Sequence, residues 1–229
     1  MPAALYPAKY DLDFATLTAV GRGRQESKAY LLCAECEERF NTNGESEVLS
    51  WIAPKAPKDF PLLELLGKSS PRAHDNVHAR FSGRDIGLDT DAFAYFATSL
   101  VWRAAVARWP LPDGGITTPI DLGIYEEPIR RYLMAETGLP QDIAVMIRVC
   151  TDEESRRAWY IPAKVEDHPL NALGFHVRGV HFRVFLNHNL PNFIRDACCT
   201  SPFKAIFLMN CRAQTVSTWE RMLKGHVRT

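Results

Sequence analysis

The spacing of apolar and polar positions divides this chain into a helical first part and a strand-rich last third. From Thr90 to Trp109, Phe93, Phe96, Ala97, Leu100 and Ala104 recur at intervals of three and four, the period of one helix face. Val101, Ala105 and Val106 widen that stripe and predict a central, largely buried helix. Thr90 is placed to cap it, Asp91 sits near the positive end of the dipole, and Pro110 ends it. A second helix is expected over Leu122–Thr137, with Gly138 as its stop. Pro128 within it implies either a kink or a start nearer Glu126, with the proline in the first turn. A further helix is expected over Glu37–Ile52. Pro54, Pro57, Pro61 and Pro71 then punctuate a connector with room for a short helix at Leu62–Leu66.

In the last third the period shortens to two. Ile143–Val149 is an apolar strand candidate and Ala158–Ile161 another. Gly174–Val177 and Val180–Leu186 flank Arg178-Gly179, a hairpin-turn pair, and Val180, Phe182, Val184 and Leu186 alternate as a half-buried strand does. Ala205–Met209 is a further strand and Thr218–Lys224 a terminal helix. Lys28–Leu32 reads as a short strand after a turn at Gly21-Arg22-Gly23-Arg24. The expected fold class is α+β: a small knuckle segment over 1–52, then a body over 53–229 with helices at 90–109 and 122–137 and a mainly antiparallel sheet over 143–209.

The 229 residues are 46% hydrophobic and 24% charged, an ordinary globular balance. Basic and acidic residues number 27 each, which argues against a strongly basic nucleic-acid-binding domain but leaves room for a local patch. No apolar run reaches membrane-spanning length, and no signal peptide is recognisable. No membrane partner and a cytoplasmic location are therefore expected. On that basis Cys33, Cys36, Cys150, Cys198, Cys199 and Cys211 are expected as thiols or metal ligands rather than disulfides.

Chemistry concentrates at Leu31-Leu32-Cys33-Ala34-Glu35-Cys36-Glu37-Glu38-Arg39-Phe40, a strand end, a CxxC and a helix start. Cysteines so spaced can aim both sulfurs at one zinc ion, but they supply half of a tetrahedral site. The same pair can also be two buried thiols. A thioredoxin-like redox pair lacks its βαβ setting here. His74 and His78 would share a face if helical and could complete a Cys2His2 site; a polar loop is the plainer reading. His176 and His181 flank the hairpin turn and can face each other, or can simply be surface histidines. Cys198-Cys199 is expected as core thiols.

The pattern Leu-Leu-Cys-x-x-Cys-Glu-x-x-Phe, with Glu45 and Glu47 following, resembles bacterial proteins related to HNH endonucleases, whose fold is a ββα-metal finger. Ala92–Arg103, Leu122–Glu127 with Arg130 and Leu133, and Val184-Phe185-Leu186 also fit their pattern. The resemblance implies that Cys33 and Cys36 are structural zinc ligands. It puts Glu37 where relatives carry a His or Asn metal ligand; a carboxylate there suits Mg²⁺. It also implies that the first CxxC and the general-base His belong before Met1, so that the chain as given lacks the activating base.

Arg22, Arg24 and Lys28 form a basic cluster suited to phosphate contact. Arg156-Arg157 and Arg178 with Arg183 form two more, and a solvated face is the plainer reading of each. Trp102 and Trp109 read as core or interface residues, and Asp152-Glu153-Glu154 as a charged turn. Two functions are thus expected: an HNH-related protein, catalytically inactive in this form and binding DNA or RNA, or a non-catalytic module that binds a protein partner or a second copy of itself.

Overall fold

The computed structural model describes residues 32–52, 60–75, 78–108, 117–157, 159–165 and 170–211. The chain folds as an α+β protein. In order it forms α1 (Ala34–Phe40), a π-helical turn (Asn41–Glu45), α2 (Ser46–Ile52), α3 (Pro61–Lys68), β1 (Ala73–His74), β2 (His78–Ser82), α4 (Thr90–Val106) and a 3₁₀ turn (Gly123–Tyr125). These are followed by α5 (Glu126–Leu133), β3 (Ile143–Cys150), α6 (Glu153–Arg157), β4 (Trp159–Lys164), β5 (Ala172–Val177), β6 (Val180–Leu186), α7 (Asn192–Asp196) and β7 (Ala205–Met209).

The seven strands make one sheet in the order β1-β2-β7-β3-β6-β5-β4. Every pairing is antiparallel except β3 with β7. The β5–β6 hairpin turns through Arg178 and Gly179, both at positive φ (45° and 84°), the backbone of a tight two-residue turn whose second position suits glycine. Pro162 lies in edge strand β4, and the β4–β5 register shifts between Tyr160 and Ala163. An edge strand with an irregularity tolerates a residue that cannot donate to the ladder.

Helices led by α4 cover one face of this sheet. Ile143, Val145, Ile147 and Val149 of β3, with Val180, Phe182, Val184 and Leu186 of β6, join Phe93, Phe96 and Leu100 of α4 in the main core. Phe182 stacks on Phe175 at 4.8 Å between centroids and meets Phe96 at 5.6 Å. Phe40, Val48 and Ile52 belong to the same core. A side chain at Gly44 would come within 3.0 Å of the Phe96 amide nitrogen, so glycine permits the close approach of the π turn to α4.

Buried within α4 is a cation. Arg103 is 3% exposed and donates from Nη1 to Glu45 Oε1 at 2.5 Å. Its Nη2 lies 3.6 Å from Glu37 Oε2, and its guanidinium stands 4.9 Å from the Phe40 ring centre. The extra residue of the π turn rotates the helix, and the buried Glu45 at its end reaches Arg103.

The structure refines several expectations. Helix 90–109 is α4, ending at Val106, and its cap is Asp89 rather than Thr90: Asp89 Oδ1 accepts from the Asp91 and Ala92 amides at 3.0 Å. A carboxylate one residue earlier reaches those two amides. Within 122–137, α5 starts at Glu126 with Pro128 in its first turn and ends at Leu133. Residues 73–82, expected as a loop or helix, form the β1–β2 hairpin. Asp152 accepts from the Ser155 and Cys211 amides, so the acidic run opens the short helix α6. The strand at Lys28–Leu32, the turn at 21–24 and the helix at Thr218–Lys224 lie wholly or mainly outside the described residues.

One cysteine expectation is overturned. Cys150 and Cys211 form a disulfide, with Cα atoms 5.3 Å apart. Cys150 is the register partner of Met209 in the parallel β3–β7 pair, so the chain leaving β7 returns beside it within bridging distance. That adjacency joins residues 61 apart in sequence and is invisible in cysteine spacing.

Glu45→Ala should leave the Arg103 charge buried with one partner fewer and cost about 3–5 kcal/mol, read as a lower urea midpoint. The double variant Glu45→Leu/Arg103→Met should recover most of it. A single variant as stable as wild type would contradict this account.

Candidate functional site

The CxxC opens α1. Cys33 is the N-cap residue, exposed, and Cys36 is half-buried one turn on, with the two sulfurs 3.3 Å apart. Thiolates sharing a zinc at about 2.3 Å stand about 3.8 Å apart by tetrahedral geometry, so a small side-chain rotation would open the pair to that spacing. The Cys36 amide, then the Cys36 thiol and the Glu35 amide, favour the Cys33 thiolate and hold its pKa below the ordinary thiol range. The Cys33 sulfur and burial push that of Cys36 up. Cys36 Sγ also touches Met134 Sδ at 3.9 Å, and Arg39 donates to the Met134 carbonyl at 3.0 Å. The knuckle is thereby docked on the end of α5.

The other expected ligands do not join it. Among the described residues, no three His, Cys, Asp or Glu side chains converge on a common point. His74 is exposed on β1, and His78 sits on β2 with its amide donating to Asp75 at 2.7 Å. Glu37 is 54% exposed and faces Arg103. A fixed guanidinium 3.6 Å from that carboxylate repels a divalent cation, so Glu37 does not fit the Mg²⁺ role and no hydrolytic step is derived through it. The thiols fit half of a zinc site. Arg22, Arg24 and Lys28 lie outside the described residues, as does Trp109; Trp102 packs on Phe40 with ring centres 6.2 Å apart.

A second concentration of chemistry lies on the sheet face away from the main core. The register places Arg80, Phe207, Arg148, His181, His176 and Tyr160 in one row across β2, β7, β3, β6, β5 and β4. Arg183 stands two residues from His181 on β6 and shares its face. To one side of the row, this face is apolar: Ala144, Met146, Ala172 and Phe185 pack with Leu190, Cys198 and Ile194.

His176 and His181 face each other, as the hairpin reading allowed, with ring centres 6.2 Å apart. They are not surface residues. His176 is 1% exposed and its Nε2 donates to the Ser155 carbonyl at 2.7 Å; burial drives its pKa down to about 4. His181 Nδ1 is buried without a hydrogen bond, and burial, Arg148, His176 and Arg183 keep that ring neutral. Burial, then Arg183, lowers Arg148 to about 10, leaving it charged at neutral pH.

Sequence reading assigned Arg183 to a solvated face and passed over Arg148. The signal for Arg148 was a lone cation inside an apolar strand, and its significance depends on which strands become neighbours.

At the end of the row, Arg72, Arg80, Arg84, Ser82, Asp196 and Phe203 contribute to a groove of about 460 Å³. Arg72 pairs with Asp85 at 2.5 Å. Arg80 lies 5.5 Å from the Phe203 ring centre and donates to the Asp196 carbonyl at 3.1 Å. Phe203 and Phe193 are 54% and 73% exposed.

No helix among the described residues is long and apolar enough to cross a membrane. Comparison with known proteins finds no matching family model, no matching curated protein and no matching solved structure.

Two measurements check this electrostatic picture. In timed iodoacetamide labelling read by mass spectrometry, Cys33 should react first. Cys198, pushed by burial to about 12, and Cys199, pushed up by burial as well, should react only on unfolding; early labelling of either would refute the assignment. His176 has a folded pKa of about 4 against an ordinary 6.5, so below pH 6.5 the unfolded chain takes up protons that the folded chain refuses. Stability should fall as pH drops from 6.5 toward 4, by up to about 3 kcal/mol for this group. His176→Gln should flatten that limb in urea titrations, and an unchanged slope would show that His176 is not its source.

Proposed function

We propose that this chain is an HNH-endonuclease-related protein that does not cleave phosphodiesters and binds DNA or RNA. The observation that carries the reading is Arg103. It lies close to both Glu37 and Glu45, so the two carboxylates behind the CxxC serve a buried ion pair rather than a divalent cation. The CxxC at the start of α1 accords with the resemblance, and zinc is the metal that pair would share. Nucleic-acid binding is supported by the groove beside β2, where Arg80 and Arg84 supply charge and Phe203 an exposed aromatic face. Arginine for phosphates and a ring for stacking are what single-stranded nucleic acid requires.

The alternative, a protein-interaction module, is favoured by the exposure of Phe193 and Phe203, which lie on and just beyond α7.

Fluorescence anisotropy with a labelled single-stranded oligonucleotide should show binding that weakens with salt. Arg84→Ala should reduce the slope of log K against log salt by about 0.7 if it contacts one phosphate. Plasmid should remain intact in Mg²⁺ or Mn²⁺. Cleavage lost in Glu37→Ala would overturn the inactive reading. Absent DNA and RNA binding, with a concentration-dependent dimer in sedimentation, would favour the interaction module.

A further inference from the structure

The sheet face away from the main core carries two arginines that have no carboxylate partner among the described residues. Arg148 of β3 is the register partner of His181, and Arg183 of β6 pairs with Met146, two residues from Arg148. The guanidinium-bearing side chains are therefore diagonal neighbours on one face, a separation within reach of long side chains. No carboxylate among the described residues forms an ion pair with either. Among the described residues, Arg183 Nε is buried without a hydrogen-bond partner.

The surroundings deepen the imbalance. His181 and His176 lie on the same face and are neutral, so neither supplies negative charge. Asp152, the carboxylate felt by His176, is engaged by the Ser155 and Cys211 amides. Gly174 is the register partner of Arg183. The position of a Cβ there is 3.6 Å from His181 Nε2, so the imidazole lies over β5 beside Arg183. Two like charges on a half-buried surface repel one another and lose hydration. An arrangement of this kind is relieved by an anion with several acceptor oxygens, because guanidinium forks match phosphate geometry bidentately.

We propose that Arg148 and Arg183, walled by His181, bind a tetrahedral oxyanion of the phosphate class. The site is separate from the groove that contains Arg84 and does not depend on the nucleic-acid reading above. Its phosphate can belong to a free phosphate or to a polynucleotide backbone, and the two sources are separable by experiment.

The test is calorimetric titration of the full chain with inorganic phosphate, at ionic strength matched with chloride. In parallel, the chain is titrated with an oligothymidylate lacking terminal phosphates. Circular dichroism and gel filtration confirm that each variant is folded. Saturable phosphate binding by wild type, weakened about tenfold or more in Arg183→Gln and in Arg148→Gln and unchanged in Arg84→Gln, is the expected result. Arg183→Lys, which keeps the charge and loses the fork, should fall between. Oligothymidylate binding that is lost in Arg148→Gln/Arg183→Gln but persists in Arg84→Gln also supports the site and assigns its phosphate to a backbone. No saturable binding of either probe overturns the proposal, as does phosphate binding that survives the double variant. Binding lost only in Arg84→Gln would place the anion in the groove and refute this site while leaving the nucleic-acid reading intact.

Discussion

The arrangement of the helical layer depends on neutralising one buried charge. Arg103 lies in a helix buried along most of its length, where a guanidinium is costly unless it is paired. Its burial is sustainable only with acceptors at hand, and Glu45, Glu37 and the face of Phe40 provide them. Each partner comes from the segment that starts at the CxxC. The requirement therefore fixes the π turn, the close pass of Gly44 against Phe96 and the lie of α1 along α4. The position of the two thiols follows from a constraint one to three helical turns away. The same constraint removes Glu37 from the inventory of cation ligands, because one carboxylate cannot neutralise this arginine and coordinate a divalent ion on equal terms.

The sheet solves the opposite problem. Its helix-covered face is apolar along β3, β5 and β6 and closes against α4 through Phe93, Phe96 and Phe182. On the other face, the Leu190 to Cys198 segment, which includes α7, packs on Ala144, Met146, Ala172 and Phe185. Beyond that cover stand Arg148, Arg183, His176 and His181. The histidines respond by remaining neutral, which a group with an ordinary pKa near 6.5 does at modest cost. Arginine has no such escape. The resulting asymmetry is chemical: among the described residues, the buried Arg103 is paired with carboxylates in the helical layer, and Arg148 and Arg183 on the far side of the sheet are not.

How much of this was legible follows from the range of each interaction. Local periodicity was enough for α4, for β6 and β7, and for the hairpin at Arg178-Gly179, since spacing and turn chemistry are properties of neighbouring residues. It placed α5 once Pro128 was read as a first-turn residue. The β1–β2 hairpin was missed because His74, His78 and the polar residues between them carry no strand signature; β2 is held by pairing with β7. The Cys150–Cys211 bridge and the Arg148–His181–His176 row were missed for one reason. Each exists only because β3 lies between β7 and β6, an order no local pattern encodes. The CxxC was visible at once, yet the partner of Glu37 was not, because Arg103 is 66 positions further on by their residue numbers.

The two chemically distinctive regions are therefore built on different layers. The CxxC and its flanking carboxylates belong to the helical layer, whose geometry is set by the Arg103 ion pair. The arginine and histidine row belongs to the far side of the sheet, separated from the knuckle by the main core. A close-packed core transmits strain, but sites without shared partners behave nearly independently when mutated. A substitution at the knuckle is therefore expected to leave the arginine and histidine row undisturbed, and the reverse. The Glu37 carboxylate lies beside the Arg103 guanidinium in the helical layer, while Arg148 and Arg183 stand on the far side of the sheet.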